Sequence, residues 1–397
     1  MMALSQKIQL ISLRVLLLCL TFVVTGINQT LPAQNPVNFT IKGYVKELPL
    51  LTLDKEFSDP EFTNVLHNRL NMRLDISSDF HIALEGRNRL FYNEIFVENP
   101  AYRDFIGYDP GLMDLSWTWF SKGKWLGNTM VDRFYLDWRK ENLQVRIGRQ
   151  RINWGINFVS NPNDLFNTFS FFDFDYDERP GADAIRVQYF IDHLSQVQFA
   201  ISPARYGREM VAAGMYNFNQ NNFDFQTLAG YYKNRLAIGL GWAGNIGHAG
   251  FKGEGTWFYD LEKIPGLKRG NLVASVGMDY LFGSGTFGVI ELLYNGGFER
   301  GKTENLRLIQ PLQPDNIMFS EFAATISINH PFSPILNGVV SVMALPDNKA
   351  IFMSPGITWS VLTDLDFGFL AQIFTAGETS AFSEAGSLWM ITFKYSF

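Results

Sequence analysis

The 397-residue chain has one cysteine, no basic excess, and no apolar run beyond its first 24 residues long enough for a membrane helix. Each absence closes off a class of protein. A lone cysteine, Cys19, cannot make an internal disulfide, so this is not a disulfide scaffold. Lys and Arg number 33 against 39 Asp and Glu, a formal charge of −6, whereas a nucleic-acid binder usually shows a basic face. No phosphate-loop, zinc or dinucleotide signature is present, and no cofactor is expected. No repeat of 20 to 50 residues and no low-complexity tract points to a solenoid or a second domain.

The N-terminus does carry a pattern. Lys7 and Arg14 precede the apolar run Val15 to Val24, followed by small and polar residues through Ala33. That order reads as a secretory signal peptide over 1–33, with cleavage expected after Ala33 and Gly26 as the rival position. Ten apolar residues fall short of the roughly 20 that span a bilayer as a helix. Cys19 lies inside this run behind Leu18, not behind a small residue, which argues against lipid attachment. Removing Lys7 and Arg14 takes the formal charge from −6 to −8. The remainder, 34–397, holds no cysteine and must find stability in burial, ladder hydrogen bonds or a membrane.

Aromatics are plentiful at 15%, with 36 Phe and 15 Tyr, while mean hydropathy is −0.02. The mature sequence resolves into segments of about ten residues with period-two alternation, separated by Gly, Asn, Asp and Pro clusters. Examples are Asn64 to Asp75, His81 to Phe91, Met130 to Arg139, Leu143 to Ile152, Ala184 to Ile191, Leu272 to Phe282 and Leu388 to Phe397. These lengths suit a tilted membrane strand of roughly 9 to 11 residues. Connections sort by parity: even-to-odd ones such as Ser77–Phe80 and Lys140–Asn142 are short. The long ones, Tyr92–Thr129, Asn153–Asp183, Tyr259–Gly270, Gly296–Met318 and Gly377–Gly386, are all odd-to-even. Short periplasmic turns and long outer loops are the habit of bacterial outer-membrane barrels. The sequence therefore predicts an all-β, antiparallel up-and-down transmembrane barrel of about 18 strands (16 to 18) in the outer membrane of a Gram-negative bacterium.

The final segment places Trp389, Ile391, Phe393, Tyr395 and Phe397 on one face. A terminal amphipathic strand ending in Phe resembles the signal read by the barrel-assembly machinery. In water, such a long aromatic edge would invite aggregation.

Period-two phase predicts a basic inner wall in the N-terminal half, from Arg69, Arg73, Arg87, Arg89, Arg133, Arg146 and Arg186, with Glu85 and Asp137 among them. In the C-terminal half the inward phase shows Glu254, Asp279, Glu291, Glu321 and Asp366. Opposed walls would set a transverse field across a lumen that side chains of 18 strands alone do not fill. Mutual pairing of these charges in a filled interior is the competing reading. Phase fails at Arg149 and Arg151, which fall with the outward Leu143, Val145 and Ile147. A bulge at Gly148 would turn them inward; otherwise they sit at the headgroup rim.

The stretch from Gly148 reads Gly-Arg-Gln-Arg-Ile-Asn-Trp-Gly, continues through Asn161, Pro162, Asn163 and Asp164, and ends in Asp-Glu-Arg-Pro-Gly-Ala-Asp. From Val145 to Tyr189 it resembles porin-like outer-membrane proteins, including alginate-export and related families. The resemblance implies that 153–183 folds inward as a constriction, with Arg149, Arg151, Asn161, Asp164, Asp177, Glu178 and Arg179 lining it. Asp173, Asp175 and Asp177 alternate with aromatics but lack the glycine and bidentate glutamate of a calcium loop, so no metal is expected. Of five histidines only His67 is placed for catalysis, with no inward serine beside it, and no enzyme is expected. The expected function is a diffusion porin for small hydrophilic solutes, with outer-membrane lipids and a homo-oligomer as its expected contacts. A plugged receptor, adhesin or polysaccharide-export barrel is the alternative.

Overall fold

The computed structural model describes residues 37–397 apart from 57–59, 99, 168–180, 264–267, 299–311, 379, 381, 383 and 384. The signal-peptide reading over 1–33 lies outside these residues, as do Asp173, Asp175, Asp177, Glu178 and Arg179. Alternating sequence becomes strand throughout. The first strands are β1 (Asn38–Leu53), β2 (Glu61–Asp75), β3 (Phe80–Asn93), β4 (Ser116–Lys122), β5 (Trp125–Lys140) and β6 (Leu143–Gln150). There follow β7 (Ala182–Phe190), β8 (Gln196–Ser202), β9 (Val211–Gln220), β10 (Phe223–Tyr232), β11 (Arg235–Ile246), β12 (Ala249–Asp260) and β13 (Gly270–Leu281). The chain closes with β14 (Phe287–Asn295), β15 (Phe322–Ser333), β16 (Leu336–Leu345), β17 (Ala350–Leu362), β18 (Leu365–Ala376) and β19 (Ser387–Ser396).

Every strand but β4 pairs antiparallel with both neighbours, and β1 pairs with β19. β4 pairs only with β5, and β3 bonds β5 directly, so the closed wall has eighteen strands. Closure removes both sheet edges, and with them the unpaired backbone groups that hydrocarbon would penalise. The seam is sealed to the last residue, Gly43 and Phe397 exchanging two backbone hydrogen bonds of 2.9 Å. No helix among the described residues is long and apolar enough to cross a membrane, and the crossing elements are strands.

Turn chemistry fixes the short end. Asn221 and Asn222 (φ 55° and 63°) join β9 to β10 in the left-handed conformation that asparagine tolerates and a two-residue hairpin requires. At the other end, the connection after β3 forms helices α1 (Ile95–Glu98) and α2 (Pro100–Gly107). Phe96, Ile95, Tyr102 and Ile106 pack against Leu48, Leu50, Val65, Phe91, Leu126 and Met390, all inward-facing. The two helices therefore enter the lumen. β6 ends low, and β4 continues the same edge of β5 above it, Ser116 opposite Met130 and Lys122 opposite Trp125.

The wall alternates cleanly. Phe39, Ile41, Leu66, Leu136, Ile147, Phe199, Leu240, Ile290 and Phe393 are exposed on the outside, as lipid contact demands. Of the register shifts in the ladder, the one between Glu85–Arg133 and Gly86–Val131 skips Asp132, turning both Asp132 and Arg133 inward.

Candidate functional site

The inner surface is built by two unlike arcs. On β2, β3 and β5, Arg69 donates to Asp132 at 2.7 Å and Glu85 at 2.9 Å. Arg87 pairs with Asp132 at 3.2 Å and Arg133 with Glu85 at 2.9 Å. The bulge at Asp132 supplies the carboxylate that two buried arginines share, a residue outside the sequence reading because the extra position breaks period two. Asp137 accepts from Gln144 at 2.7 Å and pairs with Arg146, whose guanidinium lies 4.3 Å from the Tyr135 ring centroid. Arg186 is directly opposite Arg146 on the inner face and pairs with no carboxylate within ion-pair distance among the described residues. Arg89 donates to Asn128 at 3.3 Å, and Arg73, half exposed near the short-turn end, pairs with Asp75 at 2.8 Å.

Arg149 stands elsewhere. The ladder runs through Gly148 with no register shift on either side, so the bulge expected there is absent and Arg149 keeps the outward phase. Gly148 is nonetheless required, at φ 120° with a Cβ that would lie 2.2 Å from the Phe134 carbonyl oxygen. Arg149 is not at the headgroup rim either. It is 3% exposed, between Asp183 at 2.8 Å and Asp109 at 2.6 Å, and donates to the Met113 carbonyl at 2.6 Å. It clips the 109–115 segment into the gap between β4 and β6. Arg151 is half-buried where the chain leaves the wall.

Residues 151–167 fold into the barrel. The Ile156 and Asn157 N–H groups donate to Glu254 Oε1 at 2.9 and 3.0 Å, and the Asn163 N–H donates to Oε2 at 3.2 Å. Val159 and Ser160 donate likewise to Glu291 at 3.1 and 2.7 Å. Thr256, Ser275, Gln226 and Gln198 bond Asn163, Ser160, the Trp154 carbonyl and the Trp154 indole. All six partners face inward on β8, β10, β12, β13 and β14, while the segment starts from β6, so it reaches across the lumen. Glu254 and Glu291 are 1% and 2% exposed, spent on backbone amides and not on solute. Asp164 is buried on this segment, and Asn161 is half-buried and accepts a bond from the Asp164 N–H.

Apolar packing completes the anchorage. Ile152, Trp154, Val159 and Leu165 join Ile317, Met318 and Phe319 in one buried cluster with Met343, Phe352 and Phe258 from the wall. The remaining acids behave differently. Asp279 pairs with Lys252 at 3.1 Å, and Glu321 sits half-buried just before β15, its carbonyl accepting from the Asn295 N–H. Asp366 accepts from the Ser360 hydroxyl at 2.7 Å. His67 is buried against the Tyr44 ring, 5.4 Å between centroids.

No protein-family model matches the chain, and no curated protein matches it by sequence. Solved structures do. Pseudomonas aeruginosa OccK11 (OpdR) superposes with a TM-score of 0.58 at 9% identity, over 90% of this chain and 96% of that one. The outer membrane protein OprD of Pseudomonas aeruginosa gives 0.58 at 7% identity, over 90% and 93%. Acinetobacter baumannii OccAB1 gives 0.56 at 10% identity, over 90% and 96%. At such identities the likeness speaks for architecture, and the chain has the closed antiparallel barrel fold of these outer-membrane proteins.

Proposed function

We propose that the protein is an outer-membrane porin, a passive channel for small hydrophilic solutes that favours anions. The observation that carries this reading is the inward segment 151–167, tied by Glu254 and Glu291 to the wall it crosses to. A loop held across a lumen sets a constriction, whereas a loop resting on the rim does not. Charge supplies the preference. Glu254 and Glu291 are consumed by amides, while among the described residues the arc from β2 to β7 turns Arg69, Arg73, Arg87, Arg89, Arg133, Arg146 and Arg186 inward beside the fewer carboxylates Glu61, Asp75, Glu85, Asp132 and Asp137. A net-positive, partly desolvated wall attracts small anions and raises their local concentration.

Under this reading residues 1–33 direct export, and the strand ending in Phe397 engages the assembly machinery. Channel chemistry needs no catalytic group. Planar-bilayer recording tests the proposal: stable open steps with an anion-selective reversal potential are expected. An electrically silent barrel that still shifts on a gel when boiled would point instead to a plugged receptor, a reading favoured by the apolar cluster at Trp154 and Phe319.

A further inference from the structure

Neighbouring strands of the wall are tied by the chain that runs from one to the next, except β1 and β19, which meet with no turn between them. Their register runs from Leu53 opposite Ser387 to Tyr44 opposite Ser396, and Gly43 and Phe397 form the last hydrogen-bonded pair. Beyond it, residues 38–42 of β1 have ladder partners on β2 alone. The end of a ladder is where strands fray, and here nothing covalent resists it. Gly43 is out of character at this place. Its neighbours on the outward face, Ile41 and Val45, are 51% and 38% exposed, whereas Gly43 is buried. The ring of Phe397 covers it: a Cβ on Gly43 would stand 2.8 Å from ring atom Cζ and 3.1 Å from Cε2. The missing side chain makes a slot, and the last residue of the chain fills it.

Phe397 itself remains 50% exposed, one side against the slot and the other open to lipid. Laid beside the two 2.9 Å backbone bonds that join the same residues, the ring keeps water from competing for those amides at the end of the seam. The inner face is bridged close by, where the Lys394 ammonium of β19 stands 4.6 Å from the centroid of the Tyr44 ring on β1. A larger residue at position 43 would expel the terminal ring, and its Cβ would also meet the Arg69 carbonyl oxygen at 2.3 Å. We propose that Gly43 and the Phe397 ring form a seam lock, which sets how readily the finished barrel opens between β1 and β19. This role belongs to the folded wall and is separate from any reading of the terminal strand during insertion. It asks nothing of conduction, so it stands or falls apart from the channel reading.

The full chain is extracted from outer membranes in mild detergent as the parent, Phe397→Leu, Phe397→Tyr and Tyr395→Leu, and each is warmed in steps before a gel. Phe397→Leu should give up its folded band at a lower temperature and exchange the amides of positions 43 and 397 faster. Phe397→Tyr, which keeps a ring for the slot, should behave as the parent. Tyr395 is the control, an aromatic on the same strand and face, 53% exposed, but opposite Val45 and off the slot. Its replacement by leucine should leave the parent's temperature nearly unchanged. A Phe397→Leu barrel as heat-resistant as the parent, or a Tyr395→Leu barrel weakened as far as Phe397→Leu, overturns the proposal. Should Phe397→Leu reach the membrane poorly, it and the parent are refolded from urea into micelles with no assembly factor present. Earlier loss of the folded band there supports the lock. Parental resistance there overturns it and leaves the ring to insertion alone.

Discussion

Glu254 and Asn157 stand 97 residues apart and are joined by one hydrogen bond of 3.0 Å, the Asn157 N–H donating to Oε1 of a carboxylate on the opposite wall. Together with Glu291 this fixes how far the inward segment reaches. Replacing both acids, Glu254→Ala with Glu291→Ala, removes anchors contributing about 1.5–3 kcal/mol each for bonds to a charged group. Single-channel traces should become larger and noisier while the boiled and unboiled forms still separate on a gel. Conductance and noise equal to the parent's would sink the anchoring role.

Arg186→Glu places a negative charge opposite Arg146 on the inner wall. The reversal potential under a salt gradient should move toward cation preference. The shift should fade between about 0.1 M and 1 M salt, as the screening length falls from about 10 to 3 Å. A potential that does not move removes the β6–β7 arc from the selectivity argument.

Arg149→Ala leaves Asp109 and Asp183 buried without their cation. Breaking one side of such a cluster costs about 3–5 kcal/mol. The expected signs are a lower unfolding temperature and new protease cleavage within 108–115. Arg149→Lys keeps the charge but loses the forked geometry, and should fall between the two.

Asp347 receives the Ser320 hydroxyl at 2.6 Å and the Phe322 N–H at 3.0 Å, tying the outer β16–β17 turn to the segment before β15. Burial pushes its pKa up, the bonds from Ser320 and Phe322 pull it down, and the net shift is downward. A depressed folded pKa means stability present above the ordinary value of 3.8 and lost as pH falls through the lower folded value. Amides of 317–321 should therefore exchange slowly at neutral pH and faster below about pH 4, near the free carboxylate value. Asp347→Asn should flatten that dependence, and an unchanged acid response in the variant would count against the tie.

Much of the barrel was legible because its two faces meet different solvents: period-two alternation and loop parity gave eighteen wall strands. β4 was not legible. Trp117 and Phe120 lie within the longest loop, and only pairing with Thr129 and Gly127 makes them part of the sheet. Arg149 is neither turned inward by a bulge nor set at the rim, and the ion pair that buries it lies with Asp109, forty residues upstream in a segment without periodicity. Inward placement of Glu254 and Glu291 followed from alternation, while their hold on the 156–163 amides depends on register across the lumen, which no local pattern encodes. The Gly148–Asp164 stretch resembled alginate-export barrels as well as porin-like ones, and the solved structures described above are of the OprD and Occ kind.

Pairing of β1 with β19 has a bearing on biosynthesis. A ribosome makes β1 long before β19, yet the two strands are partners. Insertion of this wall cannot proceed vectorially, strand by strand, into a finished state. A chain lacking β19 would carry two raw margins, one on β1 and one on β18. Closure of the wall thus waits on β19.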